Sequence, residues 1–268
     1  ALSGSIRYFS LGDVTIMQDE LDNGYNITPL EMAVDVAYSQ LLSEKFSLSA
    51  ALRFIYSDLN NGASSDMFPG IAVAADVSAF YRTPIELTTG KGQLSLGANI
   101  SNIGSKISYD KSANTNFIPA NMRLGGSFDY DIDEYQRFTV SADINKLLVP
   151  SLIKTADADY YNNISSISGI FKSFGDAPGG FKEELQEIMW SIGAEYAYNK
   201  QFFVRAGYFN ENEMKGNRKY FTAGAGFKLN VFQLDAGYVI STSQSNPLDK
   251  TLRFSLSFDL FGLKNLVK

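Results

Sequence analysis

Asp157 and Asp159, two residues apart in the run TADADY, have the spacing that most invites chemistry, because paired carboxylates can divide acid and base roles or hold a cation. The Gly and Glu of an EF-hand calcium loop are missing around them, and acids on a long polar connection are ordinarily just solvated. Gly224 to Lys228, GAGFK, looks superficially like a phosphate-cradling loop, but it falls in a strand pattern and lacks the P-loop spacing. The 268 residues contain no His and no Cys. A Ser-His-Asp triad, an HExxH metalloprotease, a thiolate nucleophile, a Cys-based zinc site and a disulfide framework are therefore excluded within this sequence. The expectation is a chain that performs no catalysis and needs no cofactor or metal.

A second group of chemically capable residues shares the inward parity of the segments that carry them: Asp35, Arg53, Asp76, Arg123, Arg137, Asp143, Glu195, Arg205, Asp235, Arg253 and Asp259. On extended backbone a shared parity is a shared face. Such a face can line a polar conduit or a ligand site. The commoner arrangement in a small barrel is a filled interior, with Arg–carboxylate pairs across neighbouring strands, and that is the expectation here.

The elements that must carry these charges follow from hydrophobic periodicity. Met32, Val34, Val36 and Tyr38 alternate with Ala33, Asp35, Ala37 and Ser39. Leu252, Phe254, Leu256, Phe258 and Leu260 alternate with Thr251, Arg253, Ser255, Ser257 and Asp259. About twelve segments of this kind occur: 1–12, 30–41, 46–57, 71–82, 92–103, 120–130, 136–146, 189–199, 201–210, 219–229, 231–241 and 251–261. Their length, about ten residues, is what a tilted strand needs to cross a bilayer. One parity is apolar along nearly its whole length and ends in aromatics such as Tyr38, Tyr56, Trp190 and Tyr238. The other is small and polar, unlike the strongly charged outer face of a water-soluble sandwich.

Connections between these segments alternate long and short: 13–29, 58–70, 104–119, 147–188, 211–218 and 242–250 against brief turns near Leu42–Lys45, Thr83–Lys91, Asp131–Tyr135, Lys200 and Asn230. Outer-membrane barrels have short periplasmic turns and longer outer loops. All seven prolines are expected in connections or at strand starts, where no ladder hydrogen bond is lost. The fold predicted is all-β, a transmembrane up-and-down antiparallel β-barrel, one domain over residues 1–268, with a large extracellular loop over 147–187. With 29 acidic against 23 basic residues and no basic block, nucleic acid is excluded as a partner.

The outer loops hold the candidate partner-binding residues. In FKEELQEIM, Phe181, Leu185, Ile188 and Met189 recur at helical spacing, with Glu183, Glu184 and Glu187 on the other side. This predicts a short amphipathic helix from Phe181 to Met189. Leu152, Phe171 and Phe174 add further apolar residues to the same loop, and Tyr109, Phe117 and Ile118 stand out in the loop Ser105 to Pro119. Either the long loop folds back over the barrel mouth and buries Phe171, Phe174 and Phe181, or these residues meet a partner.

Several segments resemble one family: GANISNIGSKISY (Gly97 to Tyr109), IPANMRLGGSFDY (Ile118 to Tyr130), APGGFKEELQEIMWSIGAEY (Ala177 to Tyr196), KGNRKYFTAGAGFK (Lys215 to Lys228) and SNPLDKTLRFSLSFDL (Ser245 to Leu260) are similar to PorV proteins. The resemblance implies a FadL-like barrel of the type IX secretion system in the outer membrane of a Gram-negative bacterium, in contact with outer-membrane lipids and lipopolysaccharide. It implies docking on a giant SprA-type translocon and capture of secreted cargo by its C-terminal signal domain. Delivery would be to a cell-surface attachment complex with a sortase-like protease. It also implies fourteen strands and a short N-terminal segment, so two strands and that segment are expected upstream of Ala1. The alternative is a FadL-like channel for hydrophobic small molecules, with an apolar pocket and a strand kinked near Gly125–Gly126. A barrel enzyme acting on lipopolysaccharide is disfavoured by the missing His.

Overall fold

Strict alternation of apolar and polar side chains satisfies an extended backbone only if each strand finds neighbours for its N–H and C=O groups. The computed structural model describes residues 1–17, 24–60, 67–88, 90–111, 115–151, 158–243, 246, 248–259 and 262. Its strands are β1 (Leu2–Ser10), β2 (Val14–Ile16), β3 (Tyr25–Ile27), β4 (Leu30–Ser43), β5 (Phe46–Asp58), β6 (Gly70–Glu86), β7 (Lys91–Gly104), β8 (Asn121–Asp131), β9 (Gln136–Leu147), β10 (Ile188–Tyr198), β11 (Phe202–Asn210), β12 (Lys219–Leu229), β13 (Phe232–Ser241) and β14 (Leu252–Phe258). Three short helices, α1 (Ala158–Asn163), α2 (Ser166–Lys172) and α3 (Phe181–Gln186), lie between β9 and β10.

Twelve of these strands form one sheet in the order β1-β4-β5-β6-β7-β8-β9-β10-β11-β12-β13-β14, while β2 and β3 make a separate hairpin. This is an up-and-down antiparallel meander, and each of the twelve alternating segments of the sequence corresponds to one of its strands. The β2–β3 hairpin lies inside the first long connection, where three-residue strands leave too little pattern to read. Two compact units divide the chain: residues 1–79, 98–122 and 147–184 form one, and 80–97, 123–146 and 185–268 the other.

Register puts the two parities on opposite faces. In the β4–β5 ladder Val34 faces Phe54 and Asp35 faces Arg53, and in β1–β4 Ile6 faces Val34. Val34, Val36, Tyr38, Leu48, Leu52, Phe54 and Phe254 are all exposed, whereas Asp35 is buried. Apolar side chains directed outward and charged ones inward are the inverse of a soluble domain, and hydrocarbon is the solvent that makes this favourable. The buried apolar cluster is accordingly small, with Ala72, Ala74, Ile107 and Ile118 flanked by Ile55 and Tyr109.

Brief turns close one side of the meander. Asn199 and Lys200 both have positive φ (53° and 54°) and link β10 to β11, with the Gln201 amide donating to the Tyr198 carbonyl at 3.0 Å. That is the two-residue primed turn whose twist suits adjoining strands. Asp133 Oδ1 accepts from the amides of Tyr135 and Gln136 at 2.8 and 2.7 Å in the β8–β9 turn. One expectation is corrected: β6 runs on to Glu86 and contains Pro84, which therefore lies in a strand and not in a connection. The turn after β6 is shorter than the span 83–91 read from the sequence, which sharpens the alternation of long and short connections.

Candidate docking face and lumen network

The inward charges meet in pairs. Within the first unit Arg53 Nε donates to Asp35 Oδ1 at 2.5 Å and Nη2 to Asp76 Oδ2 at 2.9 Å, joining β4, β5 and β6. Ser5 Oγ and Arg7 Nη2 also donate to Asp35, at 2.8 and 3.2 Å. Asn102 closes the group. It has φ 59° inside β7, its amide donates to Asp76 Oδ1 at 2.8 Å, its Nδ2 donates to the Pro119 carbonyl at 2.9 Å, and its Oδ1 accepts from Arg53. Asn tolerates this left-handed conformation better than most residues, because its side chain bonds locally. Asn102 is thus a point of strand irregularity, as is the register shift between Leu41 and Ser43 in the β4–β5 ladder, while neither Gly125 nor Gly126 has positive φ.

In the second unit Arg205 bridges Glu195 and Asp235, both at 2.5 Å, and so joins β10, β11 and β13 across β12, where Gly224 stands opposite Arg205 and Gly226 opposite Asp235. Arg123 Nε donates to Asn145 Oδ1 at 2.7 Å. A polar cavity of about 520 Å³ lies here, lined among others by Arg123, Asp143, Asn145, Glu195, Arg205 and Tyr220. Arg253 faces Gly237 in the ladder and has no ion pair among the described residues. Charge-assisted contacts across the strands hold the sheet in register.

Beyond the strands, two further clusters tie the long connections down. Glu187 accepts from Lys146 Nζ at 2.5 Å and Lys215 Nζ at 3.0 Å, joining the end of β9, the start of β10 and the β11–β12 connection. Arg218 grips Glu211 with Nε at 2.6 Å and Nη2 at 2.7 Å. Burial of Glu211 would raise its pKa, but the Arg218 hydrogen bonds and charge outweigh burial and hold it below the ordinary 4.5. A carboxylate with a depressed folded pKa contributes stability that is complete above the unfolded value and is lost as pH falls through the folded one. Hydrogen exchange in residues 211–218, corrected for intrinsic rates, is therefore expected to stay slow from neutral pH down to the ordinary glutamate value of 4.5 and to quicken only as pH falls further. Glu211→Gln should abolish the step, and a flat wild-type profile would contradict this account.

The long connection is built from its own caps. Ser165 Oγ accepts the Ser168 amide at 3.2 Å to start α2, and the Ser173 amide returns to the Gly169 carbonyl at 3.0 Å to end it. A seven-residue helix depends on such caps. Gly180 has φ 68° before α3, where Glu184 Oε1 accepts the Ala177 amide at 2.9 Å and Glu183 Oε2 the Gly179 amide at 2.6 Å. Both helices are turned against their own amphipathicity. The buried residue of α2 is Gly169 and that of α3 is Glu184. Ile167 and Phe171 are 62% and 72% exposed, Phe181 is 79% exposed, and Phe174 and Leu185 are exposed too.

One alternative falls and one expectation is corrected here. Phe171, Phe174 and Phe181 are exposed and not buried by their own loop. The helix also stops at Gln186, because Ile188 and Met189 pair with Lys146 and Asn145 in the sheet and are taken up by β10. Ile118 is only 6% exposed and packs in the small core, so it offers no surface to a partner. Tyr109 is half-buried beside it, and its hydroxyl donates to Ser57 Oγ at 3.0 Å. Phe117 is half-buried against Tyr161, ring centroids 4.9 Å apart. Leu152 and Asp157 lie outside the described residues, and Asp159 falls in α1. Sequence reasoning missed Ser5, Arg7 and Asn102. Only the tolerance of Asn for left-handed backbone hinted at the last, and Ser5 and Arg7 share the inward parity of a strand that was read but not searched for partners.

An antiparallel meander with apolar residues outward, ion pairs inward and long connections on one side defines the class: a transmembrane β-barrel of the outer membrane. Residues 1–154 match the family described as Type IX secretion system protein PorV, which is more than half of the chain, and the chain belongs to that family. An outer membrane channel from Pseudomonas putida F1 is similar in structure at 11% identity, with a TM-score of 0.47, over 95% of this chain and 92% of that one. A triple mutant of the Rhodopseudomonas blastica porin is similar at 9% identity, with a TM-score of 0.36, over 97% of this chain and 90% of that one. No curated protein matches the sequence.

Proposed function

We propose that this barrel docks on the giant outer-membrane translocon, binds the C-terminal signal domain of secreted cargo, and carries it to the surface attachment complex without catalysing any step itself. Membership of the type IX secretion family supports the setting. The observation that carries the reading is the inverted burial of α2 and α3, which keep Gly169 and Glu184 inside and hold Ile167, Phe171, Phe181 and Leu185 out. Exposed aromatic and aliphatic residues on capped helices are costly in water and are the residue types that anchor protein interfaces.

Binding of a purified cargo C-terminal domain to the barrel in lipid vesicles tests this. Replacing Ile167 and Phe171 together by Ser should weaken binding at least about 30-fold, the loss expected for two apolar anchors. Deleting residues 147–180 should abolish it. Unchanged binding in either variant would refute the loop assignment. A cavity of about 440 Å³ lined by Met32, Ile55, Ile107, Phe117 and Ile118, with Arg7 and Arg53 at its polar side, favours the channel for hydrophobic small molecules as a second reading. That reading predicts saturable uptake of a fatty chain into vesicles, blocked by Ile107→Trp.

A further inference from the structure

The orientation of α2 is set by a residue on a different connection. Lys106 follows β7, and its Nζ donates to the carbonyls of Tyr161 and Asn162 at 2.8 and 2.9 Å. Those carbonyls belong to the last turn of α1, where the helix dipole attracts a cation. The same ammonium lies 4.3 Å from the centre of the Phe117 ring, and Phe117 meets Tyr161 edge to face. Reciprocal backbone hydrogen bonds between Ile107 and Asn116, 2.9 and 2.8 Å long, keep Lys106 and Phe117 side by side. On its far side Phe117 touches α2 at Gly169, where a Cβ would stand 2.7 Å from the ring. The chain of contact thus runs from the ammonium through the Phe117 ring to the inner face of α2.

We propose that Lys106 is a positioning residue that latches α1 to the 105–119 connection and, through Phe117 and Gly169, holds α2 with Ile167 and Phe171 outward. This rests on the docking reading above. Among the described residues the hydrogen bonds and ring contacts of Lys106 go to Tyr161, Asn162 and Phe117 and not to Ile167 or Phe171, so its effect on binding is carried by the placement of the helix. Without the ammonium the two carbonyls lose this donor, and Phe117 loses the cation beside its ring.

Hydrogen exchange of the whole protein in lipid vesicles, paired with cargo-domain binding, tests the latch. Lys106→Met keeps the aliphatic stem and removes the charge, while Gly169→Val drives a side chain into Phe117. Both are expected to speed exchange in residues 161–173 by about tenfold or more, leave β10 to β13 protected, and weaken binding by a similar factor. Lys106→Arg should recover part of both. Unchanged exchange in both variants overturns the latch. Faster exchange with undiminished binding overturns the positioning role, provided that Phe171→Ser does weaken binding. If Phe171→Ser also leaves binding intact, the docking reading is what has failed, and the positioning role falls with it.

Discussion

Replacing Arg53 by Met is expected to be the most destabilising single change in the first unit. Arg53 is nearly enclosed and serves Asp35, Asp76 and Asn102 at once. Removing it leaves two carboxylates on β4 and β6, the strands that flank β5, with no cation between them. Breaking a buried ion pair by deleting one partner typically costs about 3–5 kcal/mol, far more than the pair's net worth, because the abandoned charge stays desolvated. Urea unfolding of the vesicle-embedded protein measures this directly. Adding Asp35→Asn and Asp76→Asn to Arg53→Met should recover most of the loss, since no uncompensated charge then remains. A loss below about 1 kcal/mol, the range of exposed ion pairs, would mean that water already solvates the trio and that it does not hold β4, β5 and β6 together.

Leu52→Arg is expected to cost about 2–4 kcal/mol if the residue lies near the middle of the hydrocarbon layer. Leu52 is 67% exposed and faces Val36, also exposed, in the β4–β5 ladder. Its outward position makes the prediction sharp: in a soluble protein an exposed Leu accepts Arg with almost no penalty. Ser141→Arg is the matched change on the inward parity. It enters the polar cavity near Asp143 and is expected to cost much less. Equal and small effects at both positions, read by the same urea titration, would contradict a lipid-facing outer parity.

The strands were legible because alternation repeats over ten or more residues and a one-residue slip would expose every charge to lipid. Arg53 and Asp35 were readable as partners in kind but not in pairing, since which Arg meets which carboxylate depends on register. Asn102 was not legible, because nothing in SNIGS requires positive φ until Asp76 and Pro119 claim its amide and side chain. The helices of the long connection were misread in a more instructive way. Phe181, Leu185, Ile188 and Met189 have helical spacing, but the ladder with β9 takes the last two. Phe171 and Phe174 were read as residues that either bury themselves or meet a partner, and spacing alone cannot separate those cases. Gly169 held the answer: a helix can press its glycine against Phe117 only by turning Ile167 and Phe171 away.

Lys146 and Ile188 stand opposite one another in the β9–β10 ladder, so the whole helical connection leaves and re-enters the sheet at adjacent positions. Loop-closure entropy rises only slowly with length, and a tight hairpin could join β9 to β10 at the same register. The connection is therefore a cassette. A foreign binding segment grafted there would leave the β9–β10 pairing, and with it the lipid-facing parity of both strands, as it is.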